Sequence, residues 1–422
     1  MKRTSIIIIV AINIVLIIIS SFFPIYEYNE NENDEKRFIS RHSNDCEALK
    51  LFLRKSEFVG NDYVTLNYDE QHCGMWISYI DLAPMLKDSS EESFRNAIAQ
   101  AFSNVKDLGV NTVYVHVRAF GDAYYPSLLY PYTDAFGSSE PFDALSIMIE
   151  EAHALDLSFH AWLNPLRCQT QEKVSDISQG YKLRDFYDNA YNDMIVSVDN
   201  SPFMWLNPAY DEVREHVALG AAEIVSKYDV DGIHIDDYFY PTITESFDKS
   251  AFEASGADDL TNWRLSNITK LVMRINLEIK KVNPTVEFDI SPQGNINNNY
   301  TQMYADVESW CKSSAICDNI IPQVYFGYES SSPYLETIAK WSSMVGDNDN
   351  VNLIIGLGAY KIAEESEYMN NPGILSKQIA DAFNLQNVKG VSFYNYSIFY
   401  NNDDMSERME SEIESIKEIL KN

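Results

Sequence analysis

The residues of this chain best suited to acid–base chemistry are two adjacent carboxylates, Asp236 and Asp237, in an aromatic-rich segment over residues 230–241. Neighbouring negative charges push two titrations apart, so that one carboxyl group holds a proton while the other is ionised. Glycoside hydrolysis needs such a pair. We expect Asp237 to act as general acid/base, and Asp236 to stabilise the transition state or act as nucleophile. The alternative is a loop-capping role, which we expect for Asp231.

The carboxylate pair must be positioned by a regular set of strands. Eight runs rich in β-branched or aromatic residues alternate with amphipathic helical stretches between residues 74 and 422. The runs are Met75–Ile80, Thr112–Val117, Ser158–Asn164, Gly232–Tyr238, Val286–Ser291, Asn319–Phe326, Asn352–Gly358 and Gly390–Asn395. This alternation predicts a (β/α)8 TIM barrel of the α/β class. A doubly wound open sheet is the rival, but the chain has no Gly-x-Gly-x-x-Gly turn.

Strand parity predicts which side chains enter the barrel, because alternate residues face the helices and the interior. In the second run, Val113, Val115 and Val117 are expected to face the helices. The expected inward residues are Tyr114, His116, Arg118, His160, Trp162, Asn164, His234, Asp236, Tyr238, Asp289, Ser291, Gln323, Tyr325, Ser392, Tyr394 and Tyr396. Burying so many hydrogen-bonding groups is costly unless a ligand or a network satisfies them. We therefore expect an active site at the C-terminal mouth of the barrel, with a satisfied polar core as the alternative.

Several of these side chains are candidates for substrate binding. We expect Asp122, Arg118, His160, Asn164, Gln323 and Tyr325 to orient hydroxyl groups, Trp76, Trp162 and Tyr394 to supply ring faces, and His116, Tyr125, His234, Tyr238, Asp289 and Ser291 to add contacts. Asp122 and Tyr125 are included because they follow the second run, in a loop of the kind that contacts substrate in barrel enzymes.

A metallohydrolase is an alternative of another class, because His116, His160, His234 and Asp236 are all expected to point inward and imidazole suits zinc. Each of these histidines stands alone in its strand, which favours hydrogen bonding. We expect no metal ion and no other cofactor. A third alternative is a non-catalytic barrel that binds cell-wall polysaccharide, against which the intact carboxylate pair argues.

Seven stretches of the chain form a recognisable set of motifs. They are residues 74–76, residues 115–118 leading to 122–127, residues 160–165, residues 205–208, residues 231–241, residues 290–292 and residues 322–325. Together they resemble the glycosyl hydrolase-like 10 family, whose members are barrel proteins related to bacterial cell-envelope glycosidases. The resemblance implies a glycosidase, and the best-understood relatives act on peptidoglycan glycan, including strands stripped of their stem peptides.

Two features of the motifs limit what the resemblance implies. Asp289 stands where the family would have a small residue, so an additional inward carboxylate could alter substrate choice or titration. The fourth run also resembles the Asp-Gly-x-Asp-x-Asp-x-Glu pattern of family 18 chitinases, but Tyr238 replaces the terminal Glu. The chitinase acid is therefore not carried over.

The charge of the chain restricts its partners. It has 422 residues, with 32 Lys and Arg against 63 Asp and Glu, a formal net charge of −31. This excludes a nucleic-acid binder that relies on phosphate neutralisation. We expect a polysaccharide or oligosaccharide substrate. If that substrate carries free carboxylates, Arg118 or Arg167 must meet them, because these are the basic residues nearest the expected mouth.

The N-terminal residues read as an export segment. Lys2 and Arg3 precede a long Ile-rich run, which is typical of a signal anchor. We therefore predict a signal anchor or signal peptide over residues 1–24, an acidic stalk over 25–43, a lead-in segment over 44–73 and the barrel over 74–422. The barrel would lie outside the cytoplasm, anchored by the N-terminal helix or secreted after cleavage.

The cysteines fit this location only weakly, because there are five of them. Cys311 and Cys317 are close enough in sequence to form a disulfide if the helix that carries Cys311 turns back. Cys46 could pair with Cys73, which would leave Cys168 free.

Overall fold

The computed structural model describes residues 71–189, 193–199, 201–346, 350–400 and 406–420. The predicted anchor and stalk, and all but the last three residues of the lead-in segment, lie outside the described residues. None of the helices within the described ranges is both long and apolar enough to cross a membrane.

The strands form a closed barrel and one small sheet. In chain order they are β1 (His72–Ile77), β2 (Thr112–Arg118), β3 (Ser158–Leu163), β4 (Arg167–Thr170), β5 (Ile195–Ser197), β6 (Phe203–Leu206), β7 (Gly232–Ile235), β8 (Glu287–Ile290), β9 (Asn319–Ile320), β10 (Asn352–Gly358) and β11 (Val388–Tyr394). The parallel barrel follows the order β1, β2, β3, β7, β8, β9, β10, β11, and β11 pairs with β1. Every predicted run overlaps one barrel strand, so the (β/α)8 prediction is confirmed.

Helices surround the barrel and fill the connections. They are α1 (Tyr79–Leu86), α2 (Glu91–Leu108), α3 (Ala144–His153), α4 (Gln171–Asp176), α5 (Lys182–Asp188), α6 (Asp211–Lys227), α7 (Lys249–Ser255), α8 (Leu260–Val282), α9 (Ile296–Asn298), α10 (Val307–Trp310), α11 (Tyr334–Val345), α12 (Lys361–Glu364), α13 (Ser366–Asn370), α14 (Ile374–Phe383), α15 (Tyr396–Tyr400) and α16 (Ser406–Leu420). Helix α2 shows how the sequence sets the ends of an element. The side chain of Ser90 accepts a hydrogen bond from the Ser93 amide and caps the N-terminus. Gly109 ends the helix with φ of 102°, a left-handed conformation that favours glycine.

An insertion follows β3 and reaches the mouth of the barrel. Strands β4, β6 and β5 form an antiparallel sheet in that order. The guanidinium of Arg167 in β4 lies 4.0 Å from the ring centre of Tyr238, and Trp205 in β6 stacks on the same ring at 5.9 Å. The insertion therefore places one cation and one indole beside the segment that carries the carboxylate pair.

The second strand contains an irregularity that corrects one prediction. His116 pairs with Trp162, but Arg118 pairs with Leu163, so Val117 is one residue too many for regular pairing. Arg118 therefore points outward, as Leu163 does, and its expected inward direction is wrong. Its guanidinium lies 4.2 Å from the ring centre of Tyr130.

One disulfide that the sequence left possible does not form, and one further prediction is wrong. Cys311 and Cys317 are buried free thiols and do not form a disulfide. Cys73 is also a free thiol, and its expected partner Cys46 lies outside the described residues. Tyr396 begins helix α15 and its hydroxyl accepts a hydrogen bond from Asn104 of α2, so it does not point into the barrel.

Candidate active site

Asp236 lies immediately after β7 and is almost completely enclosed, with 3% of its surface exposed. One carboxylate oxygen accepts a hydrogen bond of 3.1 Å from the indole Nε1 of Trp162, and the other accepts one of 3.3 Å from the backbone amide of Tyr238. Burial, followed by the charge of Asp237, raises the pKa of Asp236 to about 8. The pair therefore retains one proton at neutral pH, which the two carboxyl groups share.

Asp237 is the more accessible member of the pair. Its Oδ1 accepts a 3.2 Å hydrogen bond from Nε2 of Gln323, which also donates to the carbonyl of Ser291 at 3.0 Å. The side chain of Gln293 is a second hydrogen-bond partner. Burial raises the pKa of Asp237, and the two glutamine side chains oppose that shift. A half-buried carboxyl group with a raised pKa, held by amides, has the properties of a general acid/base.

Gln293 is a site residue that sequence reasoning missed. It directly follows the Ser291-Pro292 motif, and it forms a parallel bridge with Gln323 beyond the ends of β8 and β9. Pro322 has no amide hydrogen, so regular pairing of β9 ends before the predicted Phe326. A glutamine after each of two successive strands was the signal that could have indicated that both side chains bind the same carboxylate, Asp237.

Asp236 is held by a chain of buried contacts. It runs through Trp162, His116 and Asn164, which therefore do not form a free binding surface. The rings of His116 and Trp162 stack with centroids 3.4 Å apart and planes 18° apart. The amide of Tyr79 donates to Nδ1 of His116 at 3.1 Å, so Nε2 carries the proton and donates to Oδ1 of Asn164 at 3.4 Å. Burial, then the charge of Arg167, places the pKa of His116 well below its usual value. A neutral His116 thus holds Trp162, and Trp162 holds Asp236.

A deeper polar layer lies below the carboxylate pair. Nδ1 of His160 lies 2.5 Å from Oδ2 of Asp289, and Nδ2 of Asn319 donates to Oδ1 of Asp289 at 2.7 Å. Burial alone would lower the pKa of His160, but the charge and hydrogen bond of Asp289 outweigh it and raise the pKa to about 9. The pKa of Asp289 is correspondingly held well below its usual value. These two residues form a buried ion pair.

Trp76 and His234 belong to the same interior. Nε1 of Trp76 donates to Nε2 of His234 at 3.0 Å, which leaves the proton of neutral His234 on Nδ1, facing Asp289 at 3.7 Å. Trp76 packs in an aromatic cluster with Tyr114 and Trp162. The expected sugar-binding roles of five residues find no support in this placement, because each is at least 95% buried inside the barrel: Trp76, His160, His234, Asp289 and Ser291.

The loop after β2 also differs from its predicted role. Asp122 is buried and accepts hydrogen bonds from the backbone amide of Phe120 at 2.9 Å and from Nε2 of Gln169 at 3.4 Å. Tyr125 is buried against Tyr228, at the end of α6. Both side chains order the loop instead of entering the cleft.

The proposed metal set does not assemble. In the described ranges, one group could hold a cation by proximity, namely His160, Glu287 and Asp289. His160 is engaged at both nitrogens, by Asp289 and by the hydroxyl of Ser158 at 3.1 Å. Its raised pKa fits an imidazolium donor and not a neutral metal ligand. The donor chemistry therefore fits an ion pair better than a metal site.

Two aromatic groups border the carboxylate pair. In the first, Tyr325 and Tyr394 stack at 5.7 Å with planes 21° apart, and Tyr360 meets both edge-on. All three are partly exposed. The second surrounds Arg167 and includes Tyr238, which is 38% exposed. Accessible rings beside an acid/base pair are suited to holding sugar rings.

The fold and this site together define a barrel of the glycoside hydrolase type. Residues 72–372 match the model of the family described as glycosyl hydrolase-like 10, and the chain belongs to that family.

Two curated relatives bear the same class of name. The chain is 31% identical over 334 residues to glycosyl hydrolase YngK of Bacillus subtilis (strain 168), covering 73% of this chain and 64% of that protein. It is 29% identical over 322 residues to glycosyl hydrolase DigH of Escherichia coli (strain K12), covering 68% and 72%. The match therefore spans less than two thirds of YngK.

Solved structures share the fold. The glycoside hydrolase domain of PgaB (BpsB) from Bordetella bronchiseptica superposes with a TM-score of 0.57 at 12% identity, covering 83% of this chain and 99% of that one. Alpha-L-fucosidase isoenzyme 2 from Paenibacillus thiaminolyticus gives 0.55 at 14%, covering 83% and 49%. At these identities the likeness concerns the fold alone.

Proposed function

We propose that the chain hydrolyses glycosidic bonds of a bacterial cell-envelope glycan, with peptidoglycan glycan strands as the preferred substrate. The observation that carries the proposal is the pair of carboxyl groups at the barrel mouth, both with raised pKa, of which Asp237 is accessible and Asp236 is enclosed. Asp237 protonates the glycosidic oxygen as the bond to the leaving sugar breaks. It then accepts a proton from the water that attacks the anomeric carbon.

The role of Asp236 follows from its enclosure. With 3% of its surface exposed and Trp162 bonded to one oxygen, Asp236 is poorly placed to attack an anomeric carbon directly. We propose that Asp236 orients the group that attacks the anomeric carbon, and that its negative charge helps Asp237 to keep a proton. On a sugar with a 2-acetamido group, the acetamido oxygen supplies the first nucleophile and Asp236 orients that group.

The choice of a cell-envelope substrate rests on three supports. The aromatic groups around Tyr238 and Tyr394 suit a sugar chain, the family resemblance points to envelope glycan, and Lys2, Arg3 and the apolar run after them suit export. The barrel would accordingly work outside the cytoplasm, either anchored or secreted.

The test is an assay of released reducing ends on peptide-free peptidoglycan glycan, intact peptidoglycan, chitin oligomers and α-glucan. We expect turnover of the peptide-free glycan and its loss, by at least about 100-fold, in Asp237→Asn. Asp229→Asn is the matched control, because Asp229 is an exposed carboxylate just before β7. Equal activity in all three proteins would contradict the assignment, and binding without turnover of any glycan would identify a wall-binding barrel.

A further inference from the structure

Arg167 differs from the other arginines of the described residues in its partners. Six of the eight arginines there form ion pairs with carboxylates: Arg95, Arg184, Arg214, Arg264, Arg274 and Arg408. Arg118 and Arg167 do not, in a chain with 63 acidic residues. Arg118 faces outward, against Tyr130 and Gly220 of α6. Arg167 is thus the guanidinium, among the described arginines, that lies at the mouth without a carboxylate.

The surroundings of Arg167 fix its position without neutralising it. It is 5% exposed, and the centre of its guanidinium lies 4.0 Å from the ring of Tyr238 and 4.4 Å from that of Phe120. Its Nε donates to the carbonyl of Ala119 at 3.3 Å. Aromatic faces attract a cation and limit its movement, but they carry no net charge.

Arg167 is also electrostatically connected to the proposed catalytic pair. Burial raises the pKa of Asp236 and of Asp237, and the charge of Arg167 opposes that shift in both. Arg167 nevertheless forms an ion pair with neither. Its charge therefore reaches the place where the substrate would lie.

We propose that Arg167 binds a free carboxylate on a sugar of the substrate, and so selects acidic over neutral glycans. A guanidinium matches a carboxylate with two parallel N–H donors, and stacking keeps that fork in a fixed plane. The carboxylate is either the lactyl group of a muramic acid without its stem peptide or the C6 carboxylate of a uronic acid. The inference rests on the proposed function, because it names the substrate class of the same site.

The test compares Arg167→Gln and Arg167→Lys with wild type on three matched substrates. These are peptide-free peptidoglycan glycan, the same glycan with its carboxyl groups reduced to alcohols, and an oligosaccharide of uronic acid. We expect kcat/KM of wild type to fall roughly 10- to 100-fold when the carboxyl groups are reduced. Arg167→Gln removes that preference, and Arg167→Lys restores only part of it.

The control variant is Arg95→Gln, which removes one positive charge from a surface ion pair with Glu150 and Glu151. It should leave the preference unchanged. If Arg167→Gln lowers kcat/KM equally on the acidic and reduced glycans, Arg167 only supports the carboxylate pair and the proposal is overturned. The substrate preferred by wild type, peptide-free glycan or uronic acid, identifies the source of the carboxylate.

Binding separates this inference from the proposed function. Dissociation constants of acidic and reduced glycan are measured in the Asp237→Asn background, with and without Arg167→Gln. Tighter binding of the acidic glycan that disappears with Arg167→Gln supports the inference even if no glycan is cleaved. Equal binding of both glycans, or binding of neither, overturns it whatever the turnover.

Discussion

At the scale of single residues, the proton that Asp236 and Asp237 share determines the pH range in which the pair can work. The two groups titrate as a unit, and the active form carries one proton. Because the pKa of Asp236 is raised to about 8, that proton is lost as the pH rises through about 8. We therefore predict a bell-shaped profile of kcat/KM with its alkaline limb near pH 8.

Asp236→Asn supplies the check on this profile. The substitution removes the neighbouring charge, so the remaining activity should show its alkaline limb at lower pH. Profiles of kcat/KM against pH for wild type and variant give the comparison. An alkaline limb that does not move would show that another group sets it.

At the scale of elements, the ion pair between His160 of β3 and Asp289 of β8 links the two barrel strands that flank β7. We predict that Asp289→Asn lowers the free energy of unfolding by about 3 to 5 kcal/mol at pH 7, because His160 then either carries an unpaired buried charge or gives up its proton. The pKa of His160 is raised from 6.5 to about 9, so its stabilisation is fully present below pH 6.5 and is lost as the pH rises through 9.

Urea unfolding at pH 7 and pH 10 tests this sign. The difference between wild type and Asp289→Asn should be smaller at pH 10. The control is Asp229→Asn, which changes an exposed carboxylate and should alter the stability little at either pH. Asp318 is unsuitable as a control, because it forms its own ion pair with Lys280. A difference that grows with pH would contradict the ion pair.

The contact of β2 with α6 gives a second prediction at this scale. A Cβ at Gly220 would overlap Nη1 of Arg118 and lie 2.6 Å from the ring of Tyr130. Alanine is favoured over glycine in a helix by about 1 kcal/mol, yet we predict that Gly220→Ala destabilises the protein by about 2 kcal/mol. In an Arg118→Ala background the Tyr130 ring can move into the vacated space, so the same change should cost clearly less. Additive effects in this double-mutant cycle would show that the two residues do not touch.

The strands could be predicted from sequence, but the depth of each side chain could not. Parity correctly placed His160 and Asp289 inside the barrel, yet whether an inward residue reaches the cleft depends on how far along its strand it lies. The direction of Arg118 depended on one extra residue in β2, which leaves no mark in a run of alternating valines. Gln293 was missed because it lies beyond the end of β8, where periodicity has ended.

At the scale of the whole molecule, the net charge of −31 opposes the approach of an acidic glycan, while Arg167 attracts it locally. Repulsion acts over long distances and is screened by salt, whereas a contact in a partly enclosed site is screened much less. We predict that kcat/KM for acidic glycan rises between about 10 mM and 150 mM ionic strength, and that the value for the reduced glycan stays nearly constant. A fall over this range would contradict the account.

The central claim is that Asp237 transfers the proton to the departing sugar, and a substrate with an activated leaving group tests it most directly. Rates are measured for wild type, Asp236→Asn and Asp237→Asn on the natural glycan and on an aryl glycoside of the same sugar whose phenol is strongly acidic. Because such a phenolate leaves without protonation, Asp237→Asn should recover much of its lost rate on the aryl glycoside, while Asp236→Asn recovers little. An equal loss on both substrates in Asp237→Asn would contradict the claim.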